Sequence, residues 1–167
     1  RPKRPVSRSG AKSDALDAIR AAREALGQDR LAIPRRRGER EALRALLSTR
    51  RSATTARVAA IGQLKALIVG APEELRAELR GRSTDRQIAA CARLRERPNR
   101  SLEHRATVRA LRVTAQRIQF LQAEADQLQA ELTALVGAVA PWLLEVPGVG
   151  PLSAAQVLVS WSHAGRF

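Results

Sequence analysis

Along most of this chain apolar residues recur every three to four positions, the period of one face of an α-helix, and Pro and Gly cut the pattern into discrete units. Ser13 stands where an N-cap is wanted for a helix over 14–26, and Gly27 is placed to end it. The segment QDRLAIPRRRGE that follows reads as a loop. From 40 to 69 no Pro intervenes, and Leu43, Leu47, Arg50, Thr54, Arg57, Ile61, Leu64 and Ile68 succeed one another at spacings of 3 and 4. A parallel row of Leu46, Ala53, Ala60 and Leu67 flanks it, so the apolar stripe is strong at both ends and weak in the middle.

Gly70 and Pro72 end that helix. Two short helices are expected next, over 73–80 and 85–95, the second introduced by Thr84 with Gln87 three residues on, in capping-box spacing. Pro98-Asn99 is the next break. The last long helix follows Ser101 and runs to about 136, with Leu111, Ile118, Leu121, Ala125, Leu128, Leu132 and Leu135 forming a coiled-coil seam. Two long helices around a compact excursion imply a mainly α fold built on an antiparallel helical hairpin. Pairing of either helix with another chain satisfies the same pattern.

The end of the chain changes character. Residues 141–146, PWLLEV, precede Pro147-Gly148-Val149-Gly150-Pro151, and a helix over 152–161 follows. Glycines at i and i+2 between helical segments turn the chain sharply and aim backbone N–H groups from the next helix N-terminus, which attracts phosphate. The pattern is similar to the hairpin of helix-hairpin-helix DNA-binding modules, so Gly148 and Gly150 are candidate nucleic-acid contacts. A tight connector needs the same residues.

Charge sharpens this picture. The 167 residues carry 30 Lys+Arg against 16 Asp+Glu, a net +14, and only Lys3, Lys12 and Lys65 are lysines. A planar guanidinium fork pairs bidentately with phosphate, so a polyanionic partner is the first expectation. GC-rich coding raises Arg and Ala together and accounts for part of the Arg-to-Lys ratio, but not for the net charge. Sixteen cations and 6 acids lie before Val58, a balance of +10, including Lys12 and the triplet Arg35-Arg36-Arg37; residues 118–163 contain no Lys or Arg at all. The basic face is therefore expected in the first two thirds, and protein packing in the last.

Composition also excludes. The longest apolar candidate, 134–144, is interrupted by Gly137 and Pro141, well short of the ~18 residues of a membrane helix. A single cysteine, Cys91, permits no intramolecular disulfide, fits a reducing cytosol, and is expected as a small buried apolar residue. Phe120, Phe167, Trp142 and Trp161 are too few to stack a series of single-stranded bases. Arg1 stands where a Met would open a whole protein, and 1–10, rich in Pro, Gly, Ser and cations, reads as a linker, so a piece of a longer chain is expected.

One motif carries chemistry. Asp14 and Asp17, at i and i+3, share a helix face, and two hard oxygen ligands suit Mg²⁺, which fills its other positions with water and substrate phosphate. Acids in a first turn also serve the helix dipole alone.

The run Gly10-Ala11-Lys12-Ser13-Asp14-Ala15-Leu16-Asp17-Ala18, then a long arginine-rich helical region, then Leu144-Glu145-Val146-Pro147-Gly148-Val149-Gly150-Pro151-Leu152-Ser153-Ala154-Ala155, resembles the insertion-sequence 110 family of transposases. In that family a K-[ST]-D-x-x-D-A element closes a ribonuclease-H-like α/β domain with a DEDD metal site. A coiled coil follows, and then a domain that opens with h-P-G-h-G-P-h-x-A-A and later supplies a serine nucleophile. The resemblance implies the end of the ribonuclease-H-like domain and a linker over 1–35, a coiled-coil region over 36–137 and the start of the C-terminal transposase domain over 138–167. It implies that Asp14 and Asp17 are the last two acids of the tetrad and bind Mg²⁺ in catalysis. The first two acids are expected upstream of Arg1 and the serine beyond Phe167, which leaves no nucleophile in this chain and makes it inactive alone. It further implies DNA transposition guided by a structured RNA, self-association through the coiled coil, and a place at the nucleoid of a bacterial cytoplasm, with no membrane partner. The rival expectations are a non-catalytic coiled-coil DNA-binding or scaffold protein with a helix-hairpin-helix end, and a purely structural hairpin.

Overall fold

The structure is a computed structural model that describes residues 14–27 and 38–161, and the described residues form helices and no strands. The chain divides into two compact units, one of Arg1–Arg35 with Ser162–Phe167 and one of Arg36–Trp161. In the first, α1 spans Asp14–Leu26 and has no buried residue. Gly27 closes it by donating its backbone N–H to the carbonyls of Arg23 and Glu24, both at 3.2 Å. Lys12, the cap residue Ser13 and the triplet Arg35-Arg36-Arg37 lie outside the described residues.

The second unit is built on two long helices, α2 (Glu39–Val69) and α5 (Leu102–Val139), joined by the short α3 (Glu73–Leu79) and α4 (Thr84–Ala92). Their partners run in opposite order along the chain. Leu43 packs with Leu132 and Val136, Ala53 with Leu121 and Ala125, and Ala60, Leu64 and Ile68 with Leu111, Ala115 and Ile118. The long helices close their seam on each other as an antiparallel hairpin. Leu43, Leu64, Leu79, Leu111 and Leu132 are all under 2% exposed, each contributing about 1.5–3 kcal/mol by leaving water.

The middle of the seam differs from the expected row. Arg50, Thr54 and Arg57 are only half-buried, and the flanking alanines Ala53 and Ala60 take the seam instead. The reason is the period: 43, 50, 57 and 64 keep a strict seven-residue repeat with 46, 53, 60 and 67, so both rows meet the partner helix, and where one holds arginine the other must be small. Arg50 Nη2 donates to Gln129 Oε1 across the seam at 2.8 Å, while the Nε atoms of Arg50 and Arg57 are buried without a hydrogen-bond partner.

The far end of the hairpin, here the tip, is closed by α3 and α4, which insert Leu79, Ile88 and Cys91 between the long helices, and by Ala71 and Leu75 against Val108. Thr84 and Gln87 do not form the expected capping box. Ser83 occupies the N-cap without a side-chain bond, and Gln87 is buried with its Nε2 donating to the Leu79 carbonyl at 3.1 Å. That bond is the second to the Leu79 carbonyl, which also accepts from the Arg82 backbone N–H at 3.2 Å at the end of α3. Ser101 does cap α5, its hydroxyl accepting from the His104 backbone N–H at 3.2 Å.

At the opposite end, the base, α5 gives way at Ala140 to a single 3₁₀ segment, Pro141–Glu145, and the chain turns back into α6 (Pro151–Ser160). Ala154 and Ala155 of α6 are fully buried against Leu43, Leu132 and Val136. The guanidinium of Arg40 donates to the Val159 carbonyl, tying the start of α2 to the end of α6. No helix among the described residues is long and apolar enough to cross a membrane.

Candidate nucleic-acid interface

Asp14 and Asp17 both stand exposed on α1, and Asp17 lies 3.6 Å from the Arg20 guanidinium. Two carboxylates on one face fit Mg²⁺, which accepts one or two protein oxygens and keeps water for the rest. Among the described residues no group of three or more His, Cys, Asp or Glu side chains surrounds a metal position.

The glycine turn adopts the backbone its sequence implies. Gly148 has φ +83°, which L side chains rarely adopt, and Val149 donates its N–H back to the Val146 carbonyl at 3.0 Å. Gly150 is the N-cap of α6 and Pro151 its first residue, so the first position offers no N–H. The arm before the turn is the five-residue 3₁₀ segment rather than a full helix, and α6 is committed to packing on the base. A cleft of about 570 Å³ lies between α6 and α2, where Ser153 and Gln156 face Arg50, Arg51, Thr54 and Thr55.

Charge is distributed very unevenly within the second unit. The base, 38–57 with 118–161, carries 5 cations and 6 acids; the tip, 58–117, carries 13 cations and 6 acids, a balance of +7. Four of the tip's acids are already engaged, in Arg76–Glu73, Arg82–Glu78 at 3.5 Å, Arg100–Glu74 at 2.8 Å and Arg112–Glu96 at 3.2 Å. Among the described residues, Lys65, Arg80, Arg86, Arg93, Arg95, Arg97, Arg105, Arg109 and Arg117 have no carboxylate within 4 Å.

The link between α4 and α5 concentrates this surplus, with Arg93, Arg95, Arg97 and Arg100 inside eight residues. It is held in place. Leu94 packs into the tip core, and Arg112 reaches both the Leu94 carbonyl, at 3.5 Å, and the Glu96 carboxylate. Arg93, Arg95 and Arg97 are left exposed on either side of these anchors.

Sequence reasoning found the total charge but not this cluster. It treated Pro98-Asn99 only as a break; the signal was the alternation Arg93-Leu94-Arg95-Glu96-Arg97, one apolar anchor between cations. Cys91 is fully buried, as expected of it, and lies beneath the same tip. Burial pushes its thiol up to about 11, with Arg82 pulling it back and Glu78 adding a smaller rise. Such a thiol stays protonated and inert at neutral pH.

Comparison with protein-family models, with curated proteins and with solved structures returns no match to this chain.

Proposed function

We propose that this chain is the nucleic-acid-gripping helical part of a DNA transposase similar to the insertion-sequence 110 family, a recombinase of a bacterial mobile element directed by a structured guide RNA. The observation that carries the nucleic-acid reading is the one-ended surplus of unpaired arginine. Nothing in the packing of the tip requires it, and self-repulsion among like charges costs stability unless a polyanion offsets it. The transposase reading is supported by the order of Lys12-Ser13-Asp14-Ala15-Leu16-Asp17-Ala18, the arginine-rich hairpin and the Pro147-Gly148-Val149-Gly150-Pro151 turn.

In this reading α1 is the last helix of a ribonuclease-H-like domain, and Asp14 and Asp17 hold Mg²⁺ together with acids from elsewhere in the complete enzyme. A Mg²⁺ ion held there would polarise the phosphoryl group, with the nucleophile being the serine expected beyond Phe167. The arginines of the tip, with Lys12 and Arg35-Arg36-Arg37, contact phosphate and set register without reading sequence, a task left to the guide RNA. Self-association of the protein, at the bacterial nucleoid, uses outer faces of the hairpin, since its seam is filled within the chain.

The test is salt titration of binding to duplex DNA and to structured RNA. Several phosphate contacts give log K against log salt a slope of about −4 or steeper, and a flat response overturns the reading. In the complete protein, Asp14→Asn with Asp17→Asn abolishes Mg²⁺-dependent strand cleavage; retained cleavage returns both acids to a helix-dipole role.

A further inference from the structure

The arginines of the α4–α5 link do more than coat a surface. They wall a concavity of about 380 Å³ whose opposite side is α3 and whose far wall is the first turns of α5. That is the size of a single small ligand, at the lower end of ligand pockets.

Arg93, Arg95, Arg97 and Arg100 line it together with His104. The only carboxylates on its wall, Glu74 and Glu78, are already paired with Arg100 and Arg82. Three guanidinium groups thus face the space without a counter-charge among the described residues. The floor is rigid and apolar, with Leu75 and Val108 at 5% and 1% exposed. The 38-residue helix α5 begins beside it, and the positive end of its dipole adds to the arginines.

Several arginines around one small space favour a compact, multiply charged oxyanion, which their planar forks can pair with bidentately. A phosphate monoester is a dianion with three terminal oxygens, whereas a backbone diester offers one charge and two. We propose that this concavity binds a nucleotide-sized phosphate monoester, its phosphate held by the link arginines, either as a free nucleoside monophosphate or as the 5′-phosphorylated end of a strand. The site rests on the tip's being a nucleic-acid surface but is narrower than it.

The test uses the 167-residue chain and two otherwise identical single-stranded oligonucleotides, one 5′-phosphorylated and one 5′-hydroxyl. The phosphorylated strand binds about tenfold tighter, the equivalent of one added hydrogen bond between charged groups. Arg95→Gln with Arg97→Gln, two exposed positions whose replacement leaves the core intact, erases that ratio. Arg80→Gln with Arg86→Gln, also in the tip but outside the concavity, weakens both strands alike and keeps it. A nucleoside monophosphate removes the preference by competition and the corresponding nucleoside does not, which distinguishes a free-nucleotide site from one that needs the strand. Equal binding of the two strands overturns the site while leaving the nucleic-acid reading intact if both still bind with a steep salt response. A 5′-phosphate preference that survives Arg95→Gln with Arg97→Gln also overturns it, and failure of both strands to bind overturns the site and the nucleic-acid reading together.

Discussion

The two ends of the hairpin solve the same packing problem and differ in charge. At the base α6 lays Ala154 and Ala155 onto Leu43, Leu132 and Val136; at the tip α4 lays Ile88 and Cys91 onto Leu64, Leu111 and Ala115. Both are dry helical junctions of leucine, valine, isoleucine and alanine. Yet the tip has a balance of +7 over its residues, while at the base acids exceed cations by one. A bias in coding composition raises arginine everywhere and gives no reason for it to collect at one end. The difference teaches that the fold accounts for the apolar residues at both ends and does not account for the arginines at one.

The comparison breaks most severely at the core. Leu111→Asp puts a carboxyl in a fully buried position of the tip and Leu132→Asp does so at the base; each costs more than about 4 kcal/mol in urea unfolding, enough to remove most of the helical circular dichroism. If one is tolerated, the two junctions are not equivalent. The charges separate next. Arg93→Glu, Arg95→Glu and Arg97→Glu together lower affinity for DNA at low salt by at least about a hundredfold and flatten the salt slope by about 2 to 3, whereas Arg44→Glu with Arg51→Glu at the base changes it by less than about threefold. Equal losses would make the charge polarity irrelevant.

Alkali sharpens the contrast further, because only the tip buries a thiol. The Cys91 pKa is raised in the folded chain to about 11 from an ordinary value of 9, so between these pH values the unfolded chain sheds a proton that the folded one keeps. Stability is full below pH 9 and falls as pH rises toward 11, by about 2 to 3 kcal/mol. Cys91→Ala removes most of that slope, measured by urea unfolding across the range. Gln87→Leu, also confined to the tip, removes one of the two donors to the Leu79 carbonyl, leaving it the Arg82 N–H at 3.2 Å, and costs about 1 kcal/mol in urea unfolding. Smallest is Arg57→Leu, midway between the ends, which removes a buried Nε without a partner and raises stability by about 1 kcal/mol.

What could be read beforehand follows the same division. Strong leucine rows at 43–47 and 61–68, and again at 111–121 and 128–135, made the hairpin legible, because large side chains at helical spacing have one place to go. Its middle was legible only as a weak stripe, since the main row there carries Arg50, Thr54 and Arg57 and the flanking row that takes the seam holds only the small Ala53 and Ala60. Thr84 and Gln87 matched a capping box by spacing, but Gln87 had a better acceptor eight residues back that only the α3–α4 turn brings near. The net charge was legible and its location was not. The tip gathers arginines from α3, α4, their link and α5, segments whose adjacency is a property of the fold. Of the candidate site residues, Asp14, Asp17, Gly148 and Gly150 are described, and each is where its local pattern puts it; what they act on is decided by groups outside these helices.

The hairpin topology has one more consequence. Because α2 and α5 run in opposite directions, the chain enters the second unit at Gly38 and leaves it at Trp161 on the same end, and the arginine-bearing tip is reached only by going out and back. With 31 residues in α2, the outward leg is about 46 Å long at 1.5 Å per residue. The hairpin is then a ruler. Seven residues added to or removed from both legs keep every seam partner on its face and move the basic end by about 10 Å, so the number of heptads sets how far the arginines stand from the base.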